Sequence, residues 1–156
     1  MTSANHYFVE TPMTDNQVLE KAAEIVASRY QRGETFTQSQ TTKDYLQFKL
    51  GGYEREVFAV LFLDNQHRLI QYEEVFFGTI NAANVYPREI VKLALHHNAA
   101  AVIFAHNHPS GLPEPSDADR RITQRLQETM ALIDVRVLDH FVVGEFCLSF
   151  AEKGYL

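Results

Sequence analysis

Apolar residues recur at helical spacing along Val18, Leu19, Ala22, Ile25, Val26 and Tyr30, which predicts an amphipathic helix capped by Thr14 or Asp15 and stopped by Gly33. The polar residues before it, punctuated by Pro12, show no period and predict a loose tail. A shorter helix is expected from Thr42 to Leu50, with Tyr45, Leu46 and Phe48 as its apolar positions and Gly51-Gly52 closing it. The period then shortens. Glu56 to Leu63 is rich in Val, Phe and Leu, ends at Asp64-Asn65, and is followed by a second extended stretch, Arg68 to Ile80, so the two are expected to pair. Pro87 suits the first turn of a helix running through Ile90, Val91, Ala94 and Leu95 to His97. Ala99 to Ala105 is apolar on both faces and predicts a central strand covered on each side. A Pro-rich loop from His108 to Pro115, an amphipathic helix from Ser116 to Leu132, and strands at Val135–Val143 and Cys147–Phe150 complete the order. Alternating strands and helices without repeat or linker predict an α/β sandwich, a mixed sheet with helices on both faces.

The bulk composition narrows the partners. A chain of 156 residues with 46% hydrophobic positions suits one compact domain. A net charge of -6 does not support nucleic acid as a partner, because duplex binding draws on clustered Lys and Arg. The single Cys147 cannot form an intrachain disulfide and is expected to be a small buried hydrophobe. The N-terminus lacks a basic stretch followed by an apolar run, and no window approaches the roughly 18 apolar residues of a membrane span, so a soluble, cytoplasmic protein is expected.

The chemistry concentrates after the covered strand. His106 and His108, two residues apart in an extended chain, point their imidazoles to one side. Catalytic zinc usually takes three protein ligands and keeps one position for water. Asp119, in the first turn of the helix beyond the loop, is the best third ligand. Ser116 and Asp119 also form a Ser-x-x-Asp capping pair, which helix termination alone explains. His96 and His97 sit at a helix end, where the negative end of the dipole favours His.

His-x-His, seven residues, then Ser-x-x-Asp resembles the JAMM motif of the JAB/MPN metalloprotease superfamily. More narrowly, His106-Asn-His-Pro-Ser-Gly111, with Gly78-Thr79 and Pro87-Arg88-Glu89 before it and Asp139-His140 after it, resembles the bacterial RadC family. The likeness covers residues 35–156 as a metal-dependent hydrolase domain, with a tail and helix over 1–34. The longer members' helix-hairpin-helix region is not expected in so short a chain. The resemblance implies a cytidine-deaminase-like fold, Zn²⁺ held by His106, His108 and Asp119, and hydrolysis of an amide or isopeptide bond in a peptide-like substrate through a metal-bound water. It also implies that Glu56, in Arg55-Glu-Val-Phe-Ala-Val-Leu-Phe-Leu-Asp64, is the general base, and that Ser116 helps hold the developing oxyanion. Glu54, expected to share a strand face with Glu56, competes for the base role, as do Glu73 and Glu74. Asp139 and His140 are open between orienting a ligand and making a core hydrogen bond.

The His-Asn-His string is not a dispersed nuclease motif, and one Cys cannot build the Pro-Cys-x-x-Cys of a nucleobase deaminase. The alternative implied by the family's DNA-repair label is an interaction module with a structural metal. A fourth protein ligand such as His140 would favour it. Neither substrate identity nor oligomeric state follows from the chain.

Overall fold

The computed structural model describes residues 6–8, 11–31, 39–79 and 84–156. In chain order, α1 (Asp15–Gln31) and α2 (Ser39–Leu50) precede β1 (Val57–Leu63), β2 (Leu69–Phe77), α3 (Pro87–His96), β3 (Ala101–Asn107), α4 (Asp117–Ala131), β4 (Arg136–Val143) and β5 (Cys147–Ser149). The stop expected at Gly33 and the strand end expected at Ile80 lie outside the described residues, as does most of the expected tail. The strands form one mixed sheet in the order β2-β1-β3-β4-β5, in which only β3 and β4 run parallel. No helix among the described residues is long and apolar enough to cross a membrane.

Every residue of β1 and β3 is buried, as expected for central strands that feed two cores. Alternation divides them. Val57, Ala59, Leu61, Leu63, Ala101, Ile103 and Ala105 join Tyr45, Leu46 and Leu50 of α2 in one core. Phe58, Val60, Phe62, Val102 and Phe104 meet Ile90 and Ala94 of α3 and Ile122, Leu126 and Met130 of α4 in the other. In α1 the buried side is rotated from the expected one. Ala23 is buried and Val26 and Ala27 pack on the first core, whereas Val18 is 52% exposed.

Two departures from the expected strands matter for the site. β3 runs two residues past the apolar stretch, because His106 and Asn107 continue to pair with Val142 and Val143 of the parallel neighbour. Hydrophobic periodicity cannot see a polar residue held in a ladder. The β3–β4 pairing also skips Leu138: Val102 faces Val137, and Ile103 faces Asp139. This extra residue shifts the phase of β4, so that Val137 and His140 face α4 while Leu138 faces the opposite core.

The loop after β3 is tied to the β4–β5 hairpin by His108 N–H to the Val143 carbonyl (2.8 Å) and Glu145 N–H to the Gly111 carbonyl (2.8 Å). Gly111 has φ +89°, and a Cβ on Gly144 would fall against the Gly111 carbonyl and 3.1 Å from the Pro113 nitrogen. Gly144→Ala is therefore expected to cost about 1–3 kcal/mol through overpacking against backbone. The urea midpoint measures it, and an unchanged midpoint would mean that the loop moves aside freely.

Candidate metal centre

The alternation that sends Val102 and Phe104 toward α4 carries on to His106 and, just past the strand end, to His108. Asp119 reaches the same place from the first turn of α4. His106 Nε2 lies 3.1 Å from His108 Nε2, while Asp119 Oδ2 lies 3.4 Å from the first and 3.3 Å from the second. Among the described residues these side chains form the one group of His, Cys, Asp and Glu able to share a metal ion.

The size of this triangle tests the fit. A tetrahedral ion with bonds of about 2.0–2.1 Å to nitrogen and oxygen separates its ligand atoms by about 3.3–3.4 Å. The observed edges, 3.1 to 3.4 Å, match. The His108 tautomer also suits a metal, because its Nδ1 is 2.8 Å from the Leu112 carbonyl, an oxygen that can only accept. The proton therefore sits on Nδ1, and the Nε2 lone pair faces the centre. Residues His106, His108 and Asp119 can thus bind a metal ion.

The electrostatics favour a cation. Burial works against ionised Asp119, but its polar contacts with the His106 and His108 imidazoles and the hydrogen bond from the Ser116 amide outweigh it and hold the carboxyl well below the usual range. For His108, the contact with the Asp119 carboxylate leads the upward shift against desolvation, with the Leu112 carbonyl and the Asp119 and Glu56 charges adding to it. The imidazoles are backed by rings. Phe58 stacks on His106 at 6.4 Å between centroids, and Phe150 stacks on His140 at 4.6 Å.

Ser116 and Asp119 form the expected capping box. Asp119 N–H donates to Ser116 Oγ (3.0 Å), and Ser116 N–H donates to Asp119 Oδ2 (2.8 Å). The oxygen that caps the helix is thus also the one that meets both imidazoles, so the cap aims the carboxylate. Ser116 Oγ accepts in this pair, a bond that uses a lone pair and not its proton.

Glu56 lies one residue before β1 and is half-buried, within electrostatic reach of His108. Sequence reasoning overlooked what holds it there. The Asn107 side chain accepts from Val57 N–H (2.7 Å) and donates to the Arg55 carbonyl (2.9 Å), gripping the backbone on both sides of Glu56. Asn107 is buried and extends the β1–β3 ladder past its last backbone pair, Phe58 with His106. The only sequence signal was a polar residue between the two His.

The competing carboxylates are placed elsewhere. Glu54 precedes the strand and is exposed, so the strand face expected to join it to Glu56 does not exist. Glu74 accepts the hydroxyls of Tyr53 (2.9 Å) and Tyr72 (2.8 Å), and Glu73 lies 3.4 Å from His97. His97 also caps α3, with His96 in its last turn. The Asp139-His140 pair divides across the sheet. Asp139 accepts from the His140 and Ala151 amides (2.7 and 3.0 Å) and from Ser149 Oγ, a core role that ties the C-terminal turn to β4. Burial pushes its carboxyl up against the pull of these bonds. His140 instead places Nε2 2.8 Å from His106 Nδ1, on the far side of the ring from the ligand triangle. It is not a fourth ligand.

Comparison with known proteins converges on one family. The model of the RadC-like JAB domain matches residues 36–155. A UPF0758 protein of Vibrio cholerae serotype O1 is 62% identical over 152 residues, covering 97% of this chain and 96% of its own length. UPF0758 proteins of Aeromonas hydrophila and Cellvibrio japonicus are 59% and 61% identical over 140 residues, and there the chain spans 62% of the relative's length.

Removing one corner of the triangle leaves too few ligands for tight binding. His106→Ala is expected to lose the divalent metal retained by the wild type after dialysis, as measured by elemental analysis. Asp139→Ala is expected to keep the metal while losing about 1–3 kcal/mol of stability, because it strands buried donors. Metal lost from Asp139→Ala with the fold intact would return that residue to the site.

Proposed function

Since the chain belongs to the RadC-like JAB domain family, we propose that it is a zinc-dependent hydrolase of amide or isopeptide bonds in peptide-like substrates. The observation that carries this is the donor triangle of His106, His108 and Asp119 at tetrahedral spacing, with His140 committed to the far nitrogen of His106. A structural zinc is usually closed by four protein ligands, whereas three leave a position for chemistry. Two imidazole nitrogens and a carboxylate oxygen at this mutual spacing suit zinc.

When bound, zinc would act as a Lewis acid that lowers the pKa of a coordinated water toward about 7 and polarises the scissile carbonyl. The chain's own residues would do the rest. Glu56 takes the proton from the attacking water and delivers it to the leaving amine, since a carboxylate that accepts a proton in one step can donate it in the next. Asn107 limits where that carboxylate can go, because both peptides flanking Glu56 are fixed to its side chain. Ser116 donates a hydrogen bond from its hydroxyl to the carbonyl oxygen as charge develops there. The aromatic backing of the imidazoles lowers the local dielectric and strengthens each of these interactions.

The test separates metal binding from turnover. Glu56→Gln is expected to keep zinc and to lower cleavage of a peptide library by about 10²- to 10⁴-fold, the usual contribution of a general base. Full turnover in Glu56→Gln would remove Glu56 from the mechanism. Wild-type protein loaded with zinc and inert toward both peptide and isopeptide libraries would reject the hydrolase. Asn107→Ala is expected to lower kcat by misplacing Glu56 and to cost about 1–3 kcal/mol of stability for the two backbone groups it strands. An unchanged kcat in a correctly folded Asn107→Ala would show that Glu56 needs no such grip.

A further inference from the structure

We infer that Thr123 is a positioning residue that sets the tautomer of His106, acting through His140. The inference rests on the proposed metal centre and concerns which nitrogen of the His106 ring carries its proton. Zinc needs a lone pair on Nε2, and an imidazole protonated there cannot bind it.

The direction follows from counting protons. Thr123 Oγ1 is 2.7 Å from the Asp119 main-chain carbonyl and 2.6 Å from His140 Nδ1. The hydroxyl has one proton, and the carbonyl can only accept. If that proton pointed at His140, two oxygen lone pairs would face each other at 2.7 Å. It therefore goes to the carbonyl, and Oγ1 accepts from Nδ1–H of His140. A neutral imidazole carries one N–H, which leaves His140 Nε2 as the acceptor for His106 Nδ1–H at 2.8 Å. His106 is then left with its Nε2 lone pair facing His108 and Asp119.

The four groups are closed off from solvent. His106 is 0%, His140 and Thr123 each 1%, and Asp119 3% exposed. Phe58 and Phe104 present edges to the His140 ring while Phe150 stacks on it, so apolar rings offer these nitrogens no substitute partner. The chain starts at the main chain of one ligand, Asp119, and ends on the ring of another. One hydroxyl on the second turn of α4 thus registers the helix that supplies the carboxylate with the strand that supplies the imidazole.

Replacing the hydroxyl reverses the sense. In Thr123→Val, His140 Nδ1–H has no acceptor, so its proton is expected to move to Nε2 and to force the His106 proton onto Nε2 as well. Ring-nitrogen NMR of ¹⁵N-histidine-labelled, metal-free protein reads this directly. Wild type should show Nδ1–H on both His106 and His140, Thr123→Val the inverted pair, and Thr123→Ser the wild-type pattern. Zinc affinity, measured by competition with a chromogenic chelator, should fall about 10- to 100-fold in Thr123→Val and recover in Thr123→Ser. A lost methyl contact would move neither tautomer, and should the valine variant not fold, Thr123→Ala makes the same comparison. Unchanged tautomers, or unchanged zinc affinity, in a folded valine variant overturn the inference while leaving the metal centre standing. Inverted tautomers in a protein whose wild type binds no zinc would support the inference and reject the metal centre instead.

Discussion

Three donor atoms brought to within 3.4 Å of one another, two of them on imidazoles and one on an anionic carboxylate, are the constraint around which this molecule is arranged. Like-oriented lone pairs repel at that distance, and a buried carboxylate is expensive to desolvate. The assembly persists because each donor is fixed from behind by the fold. Asp119 is held by the helix cap of α4, His108 by the Leu112 carbonyl, and His106 by the ring of His140. A site able to take a cation gains from this, since little ordering would remain to be done on binding.

The support comes from two strands and the helix between them. β3 supplies the imidazoles, α4 the carboxylate and the Thr123 hydroxyl, and the parallel neighbour β4 supplies His140. A crossover unit places the first turn of its helix near the strand ends, where ligands of open α/β sheets collect. The bulge at Leu138 then decides which of two adjacent polar residues joins the centre. Asp139 and His140 are neighbours in the chain, yet one secures the C-terminal turn and the other backs a ligand on the opposite face.

β1 approaches from the antiparallel side. Its first residue and the one two positions earlier are gripped by Asn107, so Glu56, the proposed base, is held on a third segment at the same end of the sheet. The middle residue of the His-Asn-His string is therefore tied to β1 while the residues on either side of it turn toward α4. Strand alternation lets one tripeptide serve both directions.

Much of this was legible in the order of residues. The apolar runs defined the central strands, the His-x-His spacing followed from the period of an extended chain, and Ser-x-x-Asp marked both a helix start and a candidate donor. These are local signals, carried by residues within a turn or a few positions of one another. What the linear pattern could not hold was anything set by pairing across the sheet: the two extra residues of β3, the phase of β4, the opposite fates of Asp139 and His140, the grip of Asn107 and the role of Thr123. A threonine in a helix or an asparagine at a strand end has the same local signature whether or not a partner awaits it. Its partner lies 17 residues away for Thr123 and 50 for Asn107, at distances that only the packed sheet and its covering helix bring within reach of a hydrogen bond.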